Sequence, residues 1–314
     1  MKMAAAAALS LLLLGGCSKT TVIIEGGGSG SGNGNGNSDT PDGTQTLVTF
    51  HASVEGRNMT RSMTPLSKNI QVSLLAYDGT SPTSGAPAAQ GLYQSLLPGQ
   101  LSGVAGYKMY LTDGIYNFYA VSANDSYTPP AFTNGRSEPL FNGIDYLWWN
   151  GAQQDVSSSQ INIPIVFRHC ATQVVFDVAA GDGITLNELV LAHISAPQQG
   201  ARMDLATGAI PYAASYGSTT GDKMGINGFR AQYIMLPLKT TSPMQASFDV
   251  VVNGEASART YSVEVPVPDG VLVPGDSFRF EAVISASGIE LSSVDVTDWV
   301  DVDETGKPLY PSEK

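Results

Sequence analysis

Apolar residues alternate with polar ones in many short segments of this chain, and no other feature constrains the fold as much. In the segment TLVTFHASVEG, the apolar residues Val48, Phe50, Ala52 and Val54 fall on one side and the residues between them fall on the other. This period of two is typical of a β-strand with one buried face. Similar segments recur as far as Ile284, separated by turn clusters such as TDG, AGDG and VPGDS. No helical period extends beyond two turns, so the sequence predicts an all-β fold.

The number and spacing of these segments predict antiparallel β-sandwiches, because many short strands without helices between them favour that architecture. The chain has 314 residues, which suits two sandwiches better than one. One alternating run ends and another begins around the sequence FRHCATQ. We therefore predict an N-terminal sandwich at residues 46–168, a C-terminal sandwich at residues 169–302 and a polar tail at residues 303–314.

The N-terminal segment has the features of a bacterial export signal. Its apolar run at residues 4–14 is shorter than the roughly 20 residues that a membrane-spanning helix needs. The run ends in LGGC at Cys17, which resembles a lipobox, where the cysteine receives the lipid. We predict a lipoprotein signal peptide at residues 1–16 and lipidation of Cys17; an ordinary signal peptide with a chance cysteine is the alternative. Residues 17–45 are rich in Gly, Ser and Asn and are predicted to form a flexible tether.

Charge and residue types exclude several classes of function. The formal net charge is −12, which argues against nucleic-acid binding, since a phosphate backbone needs a basic surface. His51, His169 and His193 stand in no metal-ligand or catalytic spacing, so we expect neither an enzyme nor a cofactor. If Cys17 is lipidated, Cys170 has no disulfide partner, and we expect it to be a small buried residue.

Several segments, in this order, resemble the fimbrillin family, the type V pilus subunits of Bacteroidetes and their lipoprotein relatives. They are VTFHASVEGRNMTRS, GIYNFYAVSAN, IPIVFRHCATQVVFDV, RMDLATG and VLVPGDSFRFEAVISASGIELSSVDVTDW. The resemblance covers most of the exported chain. It implies two tandem transthyretin-like β-sandwiches and a lipid anchor in the outer membrane, with surface exposure and cell adhesion. It also implies that an arginine-specific protease removes the first strand and that subunits then polymerise by donor-strand exchange into a fimbrium.

The family mechanism can be placed on particular residues of this sequence. The resemblance implies that Val48, Phe50, Ala52 and Val54 plug a groove that a strand of another subunit could fill instead. The cut would follow Arg61 or, as second choice, Arg57. Alternatively the strand stays in place permanently, and the protein is an anchor or a stand-alone lipoprotein.

The choice among stalk, tip and anchor subunit stays open, because no strong donor strand follows Trp299. The better donor candidate is IELSSVDVTDWV. Its apolar positions change parity between Leu291 and Val294, which predicts a β-bulge or two short strands.

A surface glycan-binding lipoprotein is the alternative function. Trp148 and Trp149 are adjacent, so in a strand they point to opposite faces. One would lie in the core, and the other could stack on a sugar ring or cover a sheet edge or domain interface. Expected partners are therefore other pilus subunits, the outer membrane, the protease, and a host protein or glycan receptor. The sequence does not decide which leaflet the protein faces.

Overall fold

The alternating segments form strands in the computed structural model, which describes residues 45–56, 63–217, 221–297 and Trp299. These residues contain 22 strands and two three-residue 3₁₀ turns, and no α-helix. The all-β prediction is confirmed. Within the described part of the chain, no helix has the length and apolar character required to cross a bilayer.

Eleven strands form the first half of the fold. Their bounds are β1 Gln45–Glu55, β2 Met63–Pro65, β3 Gln71–Asp78, β4 Ala89–Leu97, β5 Gln100–Gly103, β6 Met109–Thr112, β7 Gly114–Ser122, β8 Phe132–Thr133, β9 Arg136–Ser137, β10 Leu147–Val156 and β11 Gln160–His169. Nine of them form one sheet in the order β11-β10-β7-β3-β4-β5-β1-β2, with β6 added beside β1. Because β1 also pairs with β11, the sheet closes on itself around an apolar core.

The second half consists of eleven further strands. Their bounds are β12 Thr172–Ala180, β13 Leu186–Ile194, β14 Asp222–Lys223, β15 Gly225–Asn227, β16 Arg230–Met235, β17 Leu238–Lys239, β18 Met244–Val252, β19 Arg259–Val265, β20 Val271–Leu272, β21 Ser277–Ser285 and β22 Gly288–Thr297. They form sheets of order β15-β16-β12-β21-β22 and β14-β13-β18-β19. Phe176 of β12 meets Phe248 of β18 at a ring distance of 5.2 Å, so the two sheets face each other across a common core.

Most pairings are antiparallel, but two are parallel. Strand β1 runs parallel to β11, and β12 runs parallel to β21. Each parallel pair joins an early strand of one half to a late strand of the same half: β1 and β11 are the first and last strands of the first half, and β12 and β21 are the first and next-to-last strands of the second. The alternation of apolar and polar residues predicts which face of a strand is buried, but it does not predict whether the strand runs parallel or antiparallel to its neighbour.

The last strand, β22, contains the predicted irregularity. The register of β21 against β22 shifts where Glu281 opposes Ser293 and Ala282 opposes Leu291, which leaves Ser292 as an extra residue. The bulge predicted between Leu291 and Val294 is therefore confirmed. Among the described strands, β22 pairs with β21 alone and forms the edge of its sheet.

A third apolar cluster joins the two halves. It contains Tyr119 and Trp148 from the first half and Met203, Leu205 and Leu236 from the second. The junction is therefore a packed interface. The division of the chain between residues 168 and 169 stays a prediction, since β11 ends at the first residue past it and β12 begins three residues further on.

Candidate functional site: the first strand and the junction

Strand β1 presents the predicted apolar face to the core. Val48, Phe50, Ala52 and Val54 are all buried, with exposed fractions of 2%, 4%, 0% and 7%, whereas His51 between them is exposed. The sequence favours a strand here because β-branched and aromatic side chains fit a pleated surface with one buried face. Strand β1 thus carries one continuous row of core side chains.

Strand β1 closes the sheet through neighbours on both of its edges. On one edge it pairs with β11 without interruption, from Leu47 opposite Gln160 to Val54 opposite Phe167. The other edge is covered in three pieces, by β6, β5 and β2 in turn. Taking β1 away would therefore open the sheet and leave backbone groups unpaired along two edges.

Aromatic contacts fix the middle of β1. The ring of Phe50 meets that of Tyr93 on β4 at 5.4 Å, edge to face, and that of Phe118 on β7 at 6.0 Å. Both partners belong to strands that do not pair with β1. Phe50 therefore ties β1 to the far side of the core, in addition to the pairing at its edges.

Hydroxyl groups add a second set of contacts to β11. Thr49 Oγ1 donates to the carbonyl oxygen of Ile161 at 3.1 Å, and Ser53 Oγ donates to that of Ile165 at 3.3 Å. Both hydroxyls belong to residues of the outward-facing row of β1. These bonds depend on residue type as well as on backbone shape, so an exact replacement for β1 would carry hydroxyls at the same two positions.

Strand β1 ends at a cavity of about 640 Å³ at the junction of the two halves. Glu55 and Gly56 line one part of it, and Arg168, His169 and Trp299 line another. The predicted cleavage positions, Arg57 and Arg61, and the predicted lipidation residue, Cys17, lie outside the described residues.

The tryptophan pair lies on opposite faces of β10, as adjacent strand residues must. Trp148 is buried in the junction cluster, where its Nε1 donates to the carbonyl oxygen of Leu205 at 2.8 Å. The guanidinium of Arg168 lies 4.4 Å from the ring centroid, and the backbone of Gly208 contacts the ring so closely that a Cβ there would lie 2.4 Å from it. Trp148 thus has no free face for a sugar. Trp149 packs against the first core with its ring partly exposed, and a stacking role stays a prediction for this residue alone.

A polar network at the junction could not be found from the sequence. His169 Nδ1 lies 2.9 Å from both carboxylate oxygens of Asp145, which is fully buried. Asn124 Nδ2 donates to Asp145 Oδ2 at 2.8 Å. On the imidazole, the ring of Trp299 stacks at 4.2 Å with an angle of 14° between the planes. The four residues are far apart in the sequence and share no spacing motif.

Cys170 follows this network and is buried, as the sequence predicts. Burial raises the pKa of its thiol to about 12. Reaction at sulfur requires the thiolate, so burial and the raised pKa both disfavour modification of this cysteine in the folded protein. Within the described part of the chain, no group of three or more His, Cys, Asp or Glu residues is arranged to hold a metal ion.

Comparisons with known proteins identify a family from the sequence and similar folds among solved structures. A family model described as fimbrillin-like matches residues 59–299. No sequence among the curated proteins matches the chain significantly.

Among the solved structures with a similar fold, three illustrate the likeness. A candidate cell adhesion protein from Bacteroides uniformis ATCC 8492 has 18% identity and a TM-score of 0.59, covering 82% of this chain and 99% of its own. A second one, from Bacteroides ovatus ATCC 8483, has 15% identity and a TM-score of 0.58, with the same coverage. A third, from Bacteroides fragilis NCTC 9343, has 14% identity and a TM-score of 0.54, covering 82% of this chain and 98% of its own.

Proposed function

Because the chain belongs to the fimbrillin-like family, we propose that it is a fimbrial subunit in which β1 is a replaceable strand. The family is of a structural, adhesive type and is not an enzyme family, and it implies a place at the cell surface. The single observation that supports the replaceable strand best is the position of β1. It is the first described strand, it closes the sheet, and its end leads directly to the predicted cleavage positions.

The energetics favour replacement by a strand of the same pattern. Burying Val48, Phe50 and Val54 contributes about 1.5–3 kcal/mol each, so loss of β1 forfeits roughly 5–9 kcal/mol of apolar burial. It also leaves the facing edges of β11 and β6 without backbone partners. An extended segment of another subunit with apolar residues at alternate positions would restore both, which is donor-strand complementation.

Cleavage would make the replacement possible. We propose that an arginine-specific protease cuts after Arg61 or Arg57. In either case β1 would remain held only by non-covalent contacts and could leave. Without the cut, β1 remains covalently connected to β2 and returns to its groove faster than a second molecule can reach it.

The proposed donor is β22. Of the strands that the structure describes, β21 alone pairs with it, and its side chains Val294 and Val296 are exposed by 42% and 48%. An edge strand with exposed apolar side chains is available for pairing with another chain. The bulge at Ser292 divides its apolar positions into two short rows, so a donated β22 would fill a groove in two pieces.

The proposed attachment is a lipid on Cys17, followed by a tether of residues 17–45. More than one acyl chain is required for stable anchoring, and a lipobox cysteine carries more than one. A molecule that keeps both the lipid and β1 would serve as an anchor, whereas a molecule that loses them would serve within a stalk or at a tip.

Mass spectrometry of cell-surface material tests the proposal. A subunit of a filament should show a new N-terminus at Ser62 or Asn58, together with a ladder of oligomers. Arg61→Lys is the matched control, because it keeps the charge but removes the residue that an arginine-specific protease needs. A Cys17-acylated N-terminus in every molecule would assign the anchor role, and cleavage that persists in both Arg61→Lys and Arg57→Lys would contradict the proposed protease specificity.

A further inference from the structure

We propose that the junction cavity is a docking site for the indole of Trp299, which follows the end of β22 by two residues in this same chain. Docking of Trp299 would hold β22 on its own sheet and keep it from pairing elsewhere. This part of the inference rests on the proposed role of β22 as a donor. The docking itself depends only on contacts within one molecule.

The ring of Trp299 lies inside the cavity and is stacked on one of its lining residues, His169. Its ring lies 4.2 Å from the imidazole of His169 and within 14° of parallel, which is the separation of stacked rings. The cavity around it is lined by Glu55 at the end of β1, by Arg168 at the end of β11, and by Asp276 just before β21. The indole therefore lies in a cavity that is lined by residues of both halves of the fold and by the last residue of β1.

The imidazole of His169, on which the indole stacks, is held in one orientation by buried hydrogen bonds. His169 is 8% exposed, and its Nδ1 is held by both oxygens of Asp145 at 2.9 Å. Asn124 donates to the same carboxylate, and its own backbone N–H is bonded to Ser122 Oγ at 3.0 Å. A ring whose orientation is set by buried hydrogen bonds loses little freedom when a second ring stacks on it.

Strand β22 needs such an anchor at its end. Before the bulge, Ile289 and Leu291 pack partly against the second core. After the bulge, Val294 and Val296 are exposed, so this half of the strand adds little apolar burial. Its backbone pairing to β21 and the stack of Trp299 two residues after its last residue, Thr297, hold the second half of β22 in place.

Hydrogen exchange measured by mass spectrometry on the monomeric protein tests the docking. In Trp299→Ala, the amide protons of Val294–Thr297 should exchange about three- to tenfold faster, the factor expected for loss of one aromatic pair. Trp299→Phe keeps a ring for stacking and should stay close to the wild type. Strands β13 and β18, in the opposite sheet, serve as the internal control and should not change.

Three results would overturn the proposal. Exchange in β22 could be unchanged in Trp299→Ala, or it could rise equally in β13 and β18, which would indicate general destabilisation. Protection of β22 in the wild type could also depend on protein concentration, which would place the indole in the cavity of a second copy. Oligomer formation separates this inference from the proposed function: faster exchange without any gain in oligomers would keep the docking and reject β22 as the donor.

Discussion

Substitution of Phe50 by alanine should weaken the hold of β1 more than any other single change in that strand. Phe50 is 4% exposed and makes edge-to-face contacts with Tyr93 and Phe118. Removal of a buried phenylalanine side chain costs about 3–5 kcal/mol, which includes the aromatic pairs at about 0.5–1.5 kcal/mol each. The expected loss is therefore about one third to one half of the 10 kcal/mol typical of a stable domain.

The assay compares two phenylalanines that are both buried, Phe50 and Phe176. Phe176 of β12 meets Phe248 at 5.2 Å and Phe280 at 5.3 Å, so Phe176→Ala should cost a similar amount in urea unfolding. The second measurement is the rate at which β1 leaves after a specific protease has cut an engineered site between β1 and β2. Phe50→Ala should speed this release by about a hundredfold or more, since each 1.4 kcal/mol corresponds to a factor of ten.

Phe176→Ala should leave the release rate of β1 nearly unchanged, because Phe176 lies in the separate core of the second half. Equal release rates of β1 in the two variants would show that Phe50 does not hold β1 in its groove. So would a loss of less than about 1 kcal/mol in Phe50→Ala, because that value would mean that Phe50 is not packed as described.

Three further predictions follow from single sites. Gly208→Ala should destabilise the protein by about 2–5 kcal/mol in thermal or urea unfolding, because Gly208 has φ 68° and a Cβ there would meet the Trp148 ring. Gly228 is the control: it has φ 58° but open space around it, so Gly228→Ala should cost only about 1–2 kcal/mol. Burial alone would raise the pKa of Asp177, but hydrogen bonds from two arginines hold it below its usual range. The ionised Asp177 should contribute about 0.5–1 kcal/mol to the free energy of unfolding, the value for a partly exposed ion pair. This contribution should be present above about pH 4 and lost as the pH falls further. In urea unfolding at decreasing pH, the difference in stability between wild type and Asp177→Asn should therefore disappear. Alkylation of Cys170 by iodoacetamide at pH 8, followed by mass spectrometry of its peptide, should be more than about a hundredfold slower in the native than in the unfolded protein.

The sequence was sufficient to predict the local properties of the strands. The buried row of β1 and the bulge in β22 both depend on the order of apolar and polar residues along one segment, and both are present. The buried state of Cys170 follows from its lack of a disulfide partner, because a free cysteine is among the residue types most often buried. Such features need no knowledge of what lies across the sheet.

Properties that depend on distant segments could not be predicted. The parallel pairing of β1 with β11 joins residues more than 100 positions apart, and no residue type marks it. The burial of Trp148 depends on Gly208 of the second half and on Arg168, its cross-strand neighbour on β11, and neither contact can be read from the residues around Trp148. The same holds for Asp145. In the sequence it is one of 28 acidic residues with nothing to distinguish it, and only the folded structure shows that it lies beside His169.

If another chain can take the place of β1, a free strand of the same sequence should exchange with it in solution. Protein cut between β1 and β2 would be incubated with a labelled synthetic peptide of the β1 sequence, residues 45–55, and with a matched peptide that carries Phe50→Asp. We expect stable incorporation of the first peptide, with release of the original β1, and no incorporation of the second. If neither peptide enters although the original strand has left, the groove does not accept a donated strand, and β1 is not a replaceable strand.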